Sequence, residues 1–265
     1  MKIGVFGNLE RSEIRDAALR FVDQLNKKGF YAKRVCTEKD VKDLDVLIVL
    51  GGDGTILHIA AKAALCGVKI IGVNYGTLGF LTEFEREDAD EIFEFLTTIE
   101  KSECKILRRS ILEVSFNGKT SYALNEAALQ RNYSDPDSQI MRTKISKGEN
   151  DEVVFCGDGA LLATPTGSTA YSLSAGGAIA DPEARVMLLT PICSFSLNAR
   201  CIALSDEKIL TLEVDCSEAA LLLDGQLFGK MKKGDVVTVK KAEFYAEFPV
   251  RKGSTFFQKI NKKLK

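Results

Sequence analysis

The run Asp45–Leu50 (DVLIVL) constrains the fold of this chain more than any other feature, because its last five residues are all apolar. A strand buried on both faces of a parallel sheet has this continuous apolar character, whereas a strand with one solvated face alternates. The sequence continues as Gly-Gly-Asp-Gly-Thr over residues 51–55, and a helical pattern follows over Ile56–Leu65. These residues predict a buried parallel strand that leads through a glycine-bearing loop into a helix.

Strand and helix patterns alternate over roughly the first hundred residues, as expected for an α/β layer with a parallel sheet. Further strands are predicted at 2–6, 30–36 and 68–73, and further helices at 14–25 and 88–97. We therefore assign residues 1–102 to an α/β domain that carries the Gly-Gly-Asp-Gly-Thr loop.

The pattern changes near residue 104, where short strands and turns replace the alternation. Asn117-Gly118 joins two apolar strands in a hairpin signal, and one helix is predicted near Ser168–Ala175. We expect residues 103–253 to form a β-rich, mostly antiparallel domain. The basic segment 254–265 is a candidate helix that packs back on the first domain. The two domains are expected to abut, with the ligand site in a cleft between them.

The composition excludes several classes of function. Lys plus Arg number 36 and Asp plus Glu 37, a net charge of −1, which argues against a nucleic-acid binder. No apolar run approaches the roughly 18 residues that a membrane span needs. The seven cysteines form no C-x-x-C pair and predict buried free thiols in a reducing cytoplasm. A single histidine, His58, excludes catalysis by several imidazoles.

Residues 51–55 follow a buried strand and open a helix, which is where open α/β sheets bind their ligands. Glycines there allow backbone angles closed to other residues and let an anion approach the main chain. A carboxylate in such a loop repels phosphate, so we expect Asp53 to have a chemical role. It would either accept a proton from an attacking hydroxyl or hold a metal ion. The alternative is a tight turn with Asp53 as a cap.

A second loop, Gly72–Leu81, follows the next predicted strand at the same sheet edge, and its Phe80 either flanks a flat base or belongs to the core. A third segment runs from Gly157-Asp158-Gly159 into the hydroxyl-rich sequence TPTGSTAYSLSAGG at 164–177. Hydroxyl groups in this number exceed what helix capping requires and suit a polyhydroxylated ligand such as a ribose.

Taken together, these motifs and Asn125-Glu126, in this order, resemble the NAD kinase family. The likeness covers nearly the whole chain, and the segment at 164–177 is its most specific part. The resemblance implies an N-terminal α/β domain, a C-terminal β-rich domain and a homodimer or homotetramer. It also implies ATP-dependent phosphorylation of NAD at the adenosine ribose 2′-hydroxyl, which gives NADP.

Carried over by motif, Asp53 resembles the general base that activates the 2′-hydroxyl. The other positions that the resemblance places at NAD or at the phosphates are Gly52, Gly54, His58, Phe80, Asn125, Glu126, Asp158, Thr166, Thr169, Ala170, Tyr171, Ser174 and Gln226. Within this set, Phe80 would lie beside the adenine, and Asp158 acts in its own subunit or in a neighbouring one. A plain hairpin turn is the alternative for Gln226, and a partly buried helix-face histidine is the alternative for His58.

The predicted loops carry no dense cluster of lysine or arginine, so a divalent metal, Mg²⁺, is expected to arrive with ATP, and no protein metal cage is expected. Departures from the family pattern include Ala178, Phe195 and Cys201, all outside the proposed chemistry. Two other functions remain open at this stage: a lipid or sugar kinase that shares the Gly-Gly-Asp-Gly loop, and a non-catalytic NAD(H) sensor.

Overall fold

The computed structural model describes residues 1–76, 79–132, 140–216 and 218–264. The chain forms two compact units. The first comprises Met1–Arg109 and Phe244–Lys265, and the second comprises Ser110–Glu243. Both boundaries fall inside strands, so the chain passes from one unit to the other as extended backbone.

The first unit is built on a five-stranded parallel sheet of order β2-β1-β3-β4-β5. Its strands are β1 (Lys2–Gly7), β2 (Tyr31–Arg34), β3 (Val46–Gly51), β4 (Lys69–Asn74) and β5 (Thr82–Glu85). Its helices are α1 (Ser12–Lys27), α2 (Asp53–Leu65), α3 (Ala89–Glu100) and α5 (Phe256–Lys263). All six residues of β3 are buried, as its apolar sequence predicts.

The second unit contains two six-stranded antiparallel sheets. The first has the order β10-β9-β14-β17-β6-β7 and the second the order β13-β12-β11-β8-β15-β16. Their strands are β6 (Lys105–Phe116), β7 (Lys119–Ala123), β8 (Glu126–Arg131), β9 (Met141–Ser146), β10 (Glu152–Gly157), β11 (Gly159–Ala163), β12 (Val186–Ile192), β13 (Ile202–Ser205), β14 (Leu210–Asp215), β15 (Ala219–Leu223), β16 (Gln226–Met231) and β17 (Val236–Val250).

Apolar side chains from both antiparallel sheets form one core, which includes Val114 and Leu212 from one sheet and Leu129 and Leu162 from the other. The opposite face of the second sheet carries a smaller cluster, against which Tyr171 and Ala175 pack. The fold class predicted from the sequence, a parallel α/β layer followed by antiparallel β structure, is confirmed.

Three local predictions differ from the structure. The helix predicted at Ser168–Ala175 is a 3-10 turn (Gly167–Thr169) and a single helical turn, α4 (Tyr171–Ser174), because Ala170 departs from helical angles with φ −106° and ψ −127°. Strand β5 was not predicted. The cysteines are free, but none of the seven is fully buried, and Cys36 and Cys193 are exposed.

Candidate functional site

The two loops of the first unit leave the parallel sheet at the same edge, as the sequence predicted. Gly51 at the end of β3 pairs in register with Asn74 at the end of β4. The Tyr75 N–H donates to the Gly51 carbonyl oxygen at 3.2 Å, which ties the start of the second loop to the first. Thr77 and Leu78 of this loop lie outside the described residues, and the loop is described again from Gly79.

Asp53 is the first residue of α2, and its carboxylate is held by the second loop. The Phe80 N–H donates to Oδ2 at 2.8 Å, and the Leu81 N–H donates to Oδ1 at 3.0 Å. The backbone approaches so closely that a Cβ added at Gly79 would lie 2.2 Å from Asp53 Oδ1. Because each carboxylate oxygen has a second lone pair, Asp53 keeps accepting capacity while its orientation is fixed.

The glycines on either side of Asp53 do not adopt unusual backbone angles, so that expectation from the sequence is wrong. Gly52 has φ −101°, and neither it nor Gly54 is among the residues with positive φ. A Cβ at either position would meet no atom within 4 Å. Their lack of a side chain therefore leaves open space beside the first turn of α2, where backbone N–H groups and the helix dipole favour an anion.

A charged group that the sequence did not predict, Lys263 of α5, also lies at this site. Its Nζ lies 3.5 Å from Asp53 Oδ2 and 4.1 Å from the centre of the Phe80 ring. Burial lowers the pKa of Lys263, against the opposing effect of the Asp53 charge. The sequence shows that segment 254–265 is basic, but it does not indicate which of its lysines approaches Asp53.

The two aromatic candidates of the first unit are both accessible. Phe80 is half-buried with Lys263 on its ring, so it is not a core residue. His58 is exposed on α2, and its ring stacks on Phe6 with 6.1 Å between centroids and an interplanar angle of 9°.

In the second unit, one carboxylate organises the Asn125-Glu126 segment. Asp224 accepts hydrogen bonds from three successive backbone N–H groups: Leu124 at 2.8 Å, Asn125 at 2.7 Å and Glu126 at 3.1 Å. Asp224 and Gly225 both have positive φ and form the turn between β15 and β16. The residues Asp224-Gly225-Gln226 thus form a hairpin turn, and Asp224 also fixes the backbone of Asn125 and Glu126, the two residues that were predicted to bind the dinucleotide.

Glu126 is buried beside this turn. Its Oε2 atom is inaccessible to solvent and has no hydrogen-bond partner among the described residues. Burial, and to a lesser degree the charge of Asp224, raise the pKa of Glu126 to about 8. A buried carboxyl oxygen without a partner is energetically unfavourable, most of all when the carboxyl group is ionised.

Three hydroxyl groups of the hydroxyl-rich segment form buried hydrogen bonds within the protein. Thr164 Oγ1 donates to the Leu124 carbonyl at 2.6 Å and accepts from the Gly167 N–H at 3.1 Å. Ser168 Oγ bonds to Pro165 and Ala180 backbone atoms, and Ser172 Oγ pairs with Thr190 Oγ1. These three hydroxyls are buried and maintain the turn, so fewer groups than the sequence suggested are available to a ribose.

This turn is built against Asn125. The Thr164 N–H donates to the Asn125 carbonyl at 2.8 Å, and a Cβ at Gly167 would lie 2.1 Å from the same oxygen. Of the predicted residues in the turn, Thr166 is buried, Ser174 is exposed, and Thr169, Ala170 and Tyr171 are partly exposed. The Tyr171 hydroxyl accepts a hydrogen bond from Gln130 Nε2.

Two further candidates lie at the ends of strands in the second unit. Asp158 interrupts the run from β10 to β11, and its Oδ1 forms an ion pair with Arg131 Nε at 2.8 Å. Gln226 is exposed at the start of β16. Whether either residue contacts a ligand remains a prediction.

Over the described ranges, no group of three or more His, Cys, Asp or Glu side chains could hold a metal ion. No helix in that part of the chain is long and apolar enough to cross a membrane.

Comparison with known proteins gives consistent matches. Residues 4–104 match the ATP-NAD kinase N-terminal domain, and residues 124–250 match the ATP-NAD kinase C-terminal domain. The chain is 32% identical to the NAD kinase of Caldicellulosiruptor saccharolyticus, covering 100% of both chains. It is 36% identical to the NAD kinase of Caldanaerobacter subterraneus, covering 99% of this chain and 98% of that protein.

Two solved structures are similar over almost the whole chain. Yeast NADH kinase in complex with NADH superimposes with a TM-score of 0.89 and 25% identity, covering 100% of this chain and 87% of the other. An NAD kinase from Archaeoglobus fulgidus in complex with ATP superimposes with a TM-score of 0.78 and 26% identity, covering 98% and 99%.

Proposed function

The chain belongs to the NAD kinase family, and we propose that it transfers the γ-phosphoryl group of ATP to the adenosine ribose 2′-hydroxyl of NAD, giving NADP. The observation that carries the catalytic part is the placement of Asp53. Its carboxylate is oriented by two backbone N–H groups at the start of α2, beside glycines that leave room for phosphate.

In this proposal Asp53 is the general base. A ribose hydroxyl is a poor nucleophile until a base takes its proton as the new bond to phosphorus forms. The proton passes from O2′ to the Asp53 carboxylate, the O2′–Pγ bond forms, and the bond between Pγ and the bridging oxygen of ADP breaks. Positioning and charge stabilisation supply most of the catalysis in such transfers.

The second unit supplies contacts to the dinucleotide. Asn125 and Glu126 are held by Asp224, and the Glu126 carboxyl group is proposed to accept a hydrogen bond from a ribose hydroxyl. The remaining proposed NAD contacts in this unit are Asp158, Thr166, Thr169, Ala170, Tyr171, Ser174 and Gln226. In the first unit, Phe80 and His58 are the proposed aromatic contacts, and Gly52 and Gly54 line the phosphates.

Mg²⁺ enters as part of the nucleotide substrate, because the triphosphate carries more negative charge than the protein loops offset. We further propose that the enzyme acts in the cytoplasm as a homodimer or homotetramer, as the family resemblance implies.

The test is an assay that couples NADP formation to a reporter dehydrogenase, with NAD or NADH as acceptor and ATP or polyphosphate as donor. The proposal predicts ATP-dependent formation of the 2′-phosphorylated product. A protein that binds NAD but forms no such product with any donor is a sensor rather than a kinase. Phosphorylation of a lipid or a sugar in place of NAD identifies the other alternative.

A further inference from the structure

The first unit brings a partly buried ammonium group to the carboxylate of Asp53, although neither of its two loops contains a cation. Residues 51–58 and 72–81 include no lysine or arginine. Lys263 is supplied instead by α5, 210 positions further along the chain than Asp53, and only 14% of its side chain is exposed.

The contact with Lys263 is not what orients Asp53. The Phe80 and Leu81 N–H groups already hold both carboxylate oxygens at 2.8 and 3.0 Å, whereas Lys263 Nζ stands off at 3.5 Å. An ammonium group has three donors, and at most one can point to Asp53. Removing a charge from water, even in part, is unfavourable when it has so few partners, and a second anion would offset that cost.

Two neighbouring cations of this surface have close carboxylate partners of their own. Lys259 Nζ lies 2.8 Å from Glu83 Oε2, and Arg251 Nη1 lies 2.8 Å from Glu91 Oε2. Lys262, which is 67% exposed, has Glu85 at 3.9 Å. Lys263 differs from Lys259 and Arg251 in its longer carboxylate contact, and it differs from Lys262 in that only 14% of its side chain is exposed. It also lines a cavity of about 470 Å³ together with Gly79 and these residues.

We propose that Lys263 binds the phosphoryl group in transfer, donating hydrogen bonds from its ammonium to non-bridging phosphate oxygens beside Asp53. This inference rests on the proposed kinase function. The physical reason is one of charge: a phosphoryl donor that approaches the Asp53 carboxylate meets a like charge, and an ammonium between the two offsets it. Lys263 stays protonated throughout, while the hydroxyl proton goes to Asp53.

The proposal has a pH signature. Asp53 of α2 favours the charged form of Lys263, whereas burial and the charge of Lys259 oppose it. Glu83 and Glu85 of β5 and Lys262 of α5 line the same cavity. Because burial leads and lowers the pKa of Lys263, its charge is lost at lower pH than in an exposed lysine. Turnover should fall on the alkaline side as the ammonium deprotonates, and arginine, which stays charged, should move that fall to higher pH.

The experiment compares Lys263→Met, Lys263→Arg and, as the matched control one residue away, Lys262→Met. We measure kcat and the KM for ATP across pH, the thermal midpoint, and the binding of inorganic tripolyphosphate by calorimetry. Lys263→Met should lose about a hundredfold in kcat and bind tripolyphosphate at least about tenfold more weakly. Lys262→Met should stay within about twofold of the parent protein in both.

Turnover and tripolyphosphate binding of Lys263→Met within about threefold of the parent protein would overturn the proposal. If Lys263→Met does not fold, the pH dependence of turnover in Lys263→Arg tests the proposal. A fall in turnover at the same alkaline pH as in the parent protein also overturns the proposal. If the parent protein forms no NADP, the proposed function fails. The tripolyphosphate measurement then still tests whether Lys263 binds phosphate.

Discussion

Replacing Glu126 by glutamine should stabilise the protein at alkaline pH, because it removes a carboxyl group that burial keeps protonated. Burial and the Asp224 charge raise the pKa of Glu126 to about 8, far above its ordinary value of 4.5. Between these values the folded chain retains a proton that the unfolded chain has released. The free energy of unfolding therefore falls as pH rises through this window.

The size of the effect follows from linkage. One proton held only in the folded state lowers the free energy of unfolding by about 1.4 kcal/mol for each pH unit. Over the window from about pH 5 to pH 8, the parent protein should lose on the order of 4 kcal/mol through Glu126 alone. Glutamine has the same shape and does not titrate. Burial also raises the pKa of Asp224, but that contribution is common to both proteins.

The assay is urea unfolding of the parent protein and Glu126→Gln at a series of pH values, with Glu152→Gln as a control. Glu152 lies in the same unit, and its side chain is 47% exposed. The parent protein and Glu126→Gln should agree to within about 1 kcal/mol at pH 5, and Glu126→Gln should be more stable by several kcal/mol at pH 8. Parallel pH curves for the two proteins would refute the assignment of a buried, protonated Glu126.

Two other substitutions test the geometry of the site. A Cβ added at Gly79 would lie 2.2 Å from Asp53 Oδ1 and must displace that carboxylate. Gly79→Ala should therefore lower kcat by up to about a hundredfold. It should lower the free energy of unfolding by only about 1–3 kcal/mol. Unchanged turnover would show that the position of Asp53 is not critical. Asp158→Asn should raise the KM for NAD about tenfold with little change in kcat, and it should lower stability by about 1 kcal/mol as the Arg131 ion pair weakens. An unaltered KM would remove Asp158 from the dinucleotide site.

Sequence patterns within a short stretch of chain predict the strands, turns and helices that depend mainly on neighbouring residues. The apolar run of β3 and the glycine loop after it correctly gave a buried strand, a turn and a helix, and the Asn117-Gly118 turn correctly gave a hairpin. The full length of β17 (Val236–Val250) is not indicated by such a pattern, since its later residues alternate less cleanly between buried and exposed positions.

Contacts between residues that are distant in sequence could not be predicted in this way. Asp53 was identified from its unusual place in a phosphate loop, but its bonds to Phe80 and Leu81 depend on how two loops meet at one sheet edge. The position of Lys263 depends on how α5 returns to the parallel sheet, which no periodicity encodes. Similarly, composition drew attention to hydroxyl groups, while only the structure identifies those that hold the turn and so are not available to a ligand.

The role of Asp53 as the general base is the central claim, and turnover of Asp53→Asn with ATP and NAD tests it most directly. Asparagine loses one of the two backbone hydrogen bonds, so a loss of about 1–3 kcal/mol in stability is expected in addition to the chemical effect. Asp40→Asn is the matched control, because the Asp40 carboxylate also accepts two backbone N–H groups, from Cys36 and Thr37, at a partly exposed position.

Both variants should fold and bind NAD. Asp53→Asn should form NADP at least about a hundredfold more slowly than the parent protein, and Asp40→Asn should remain within about twofold. An Asp53→Asn protein with near-normal turnover would contradict the account.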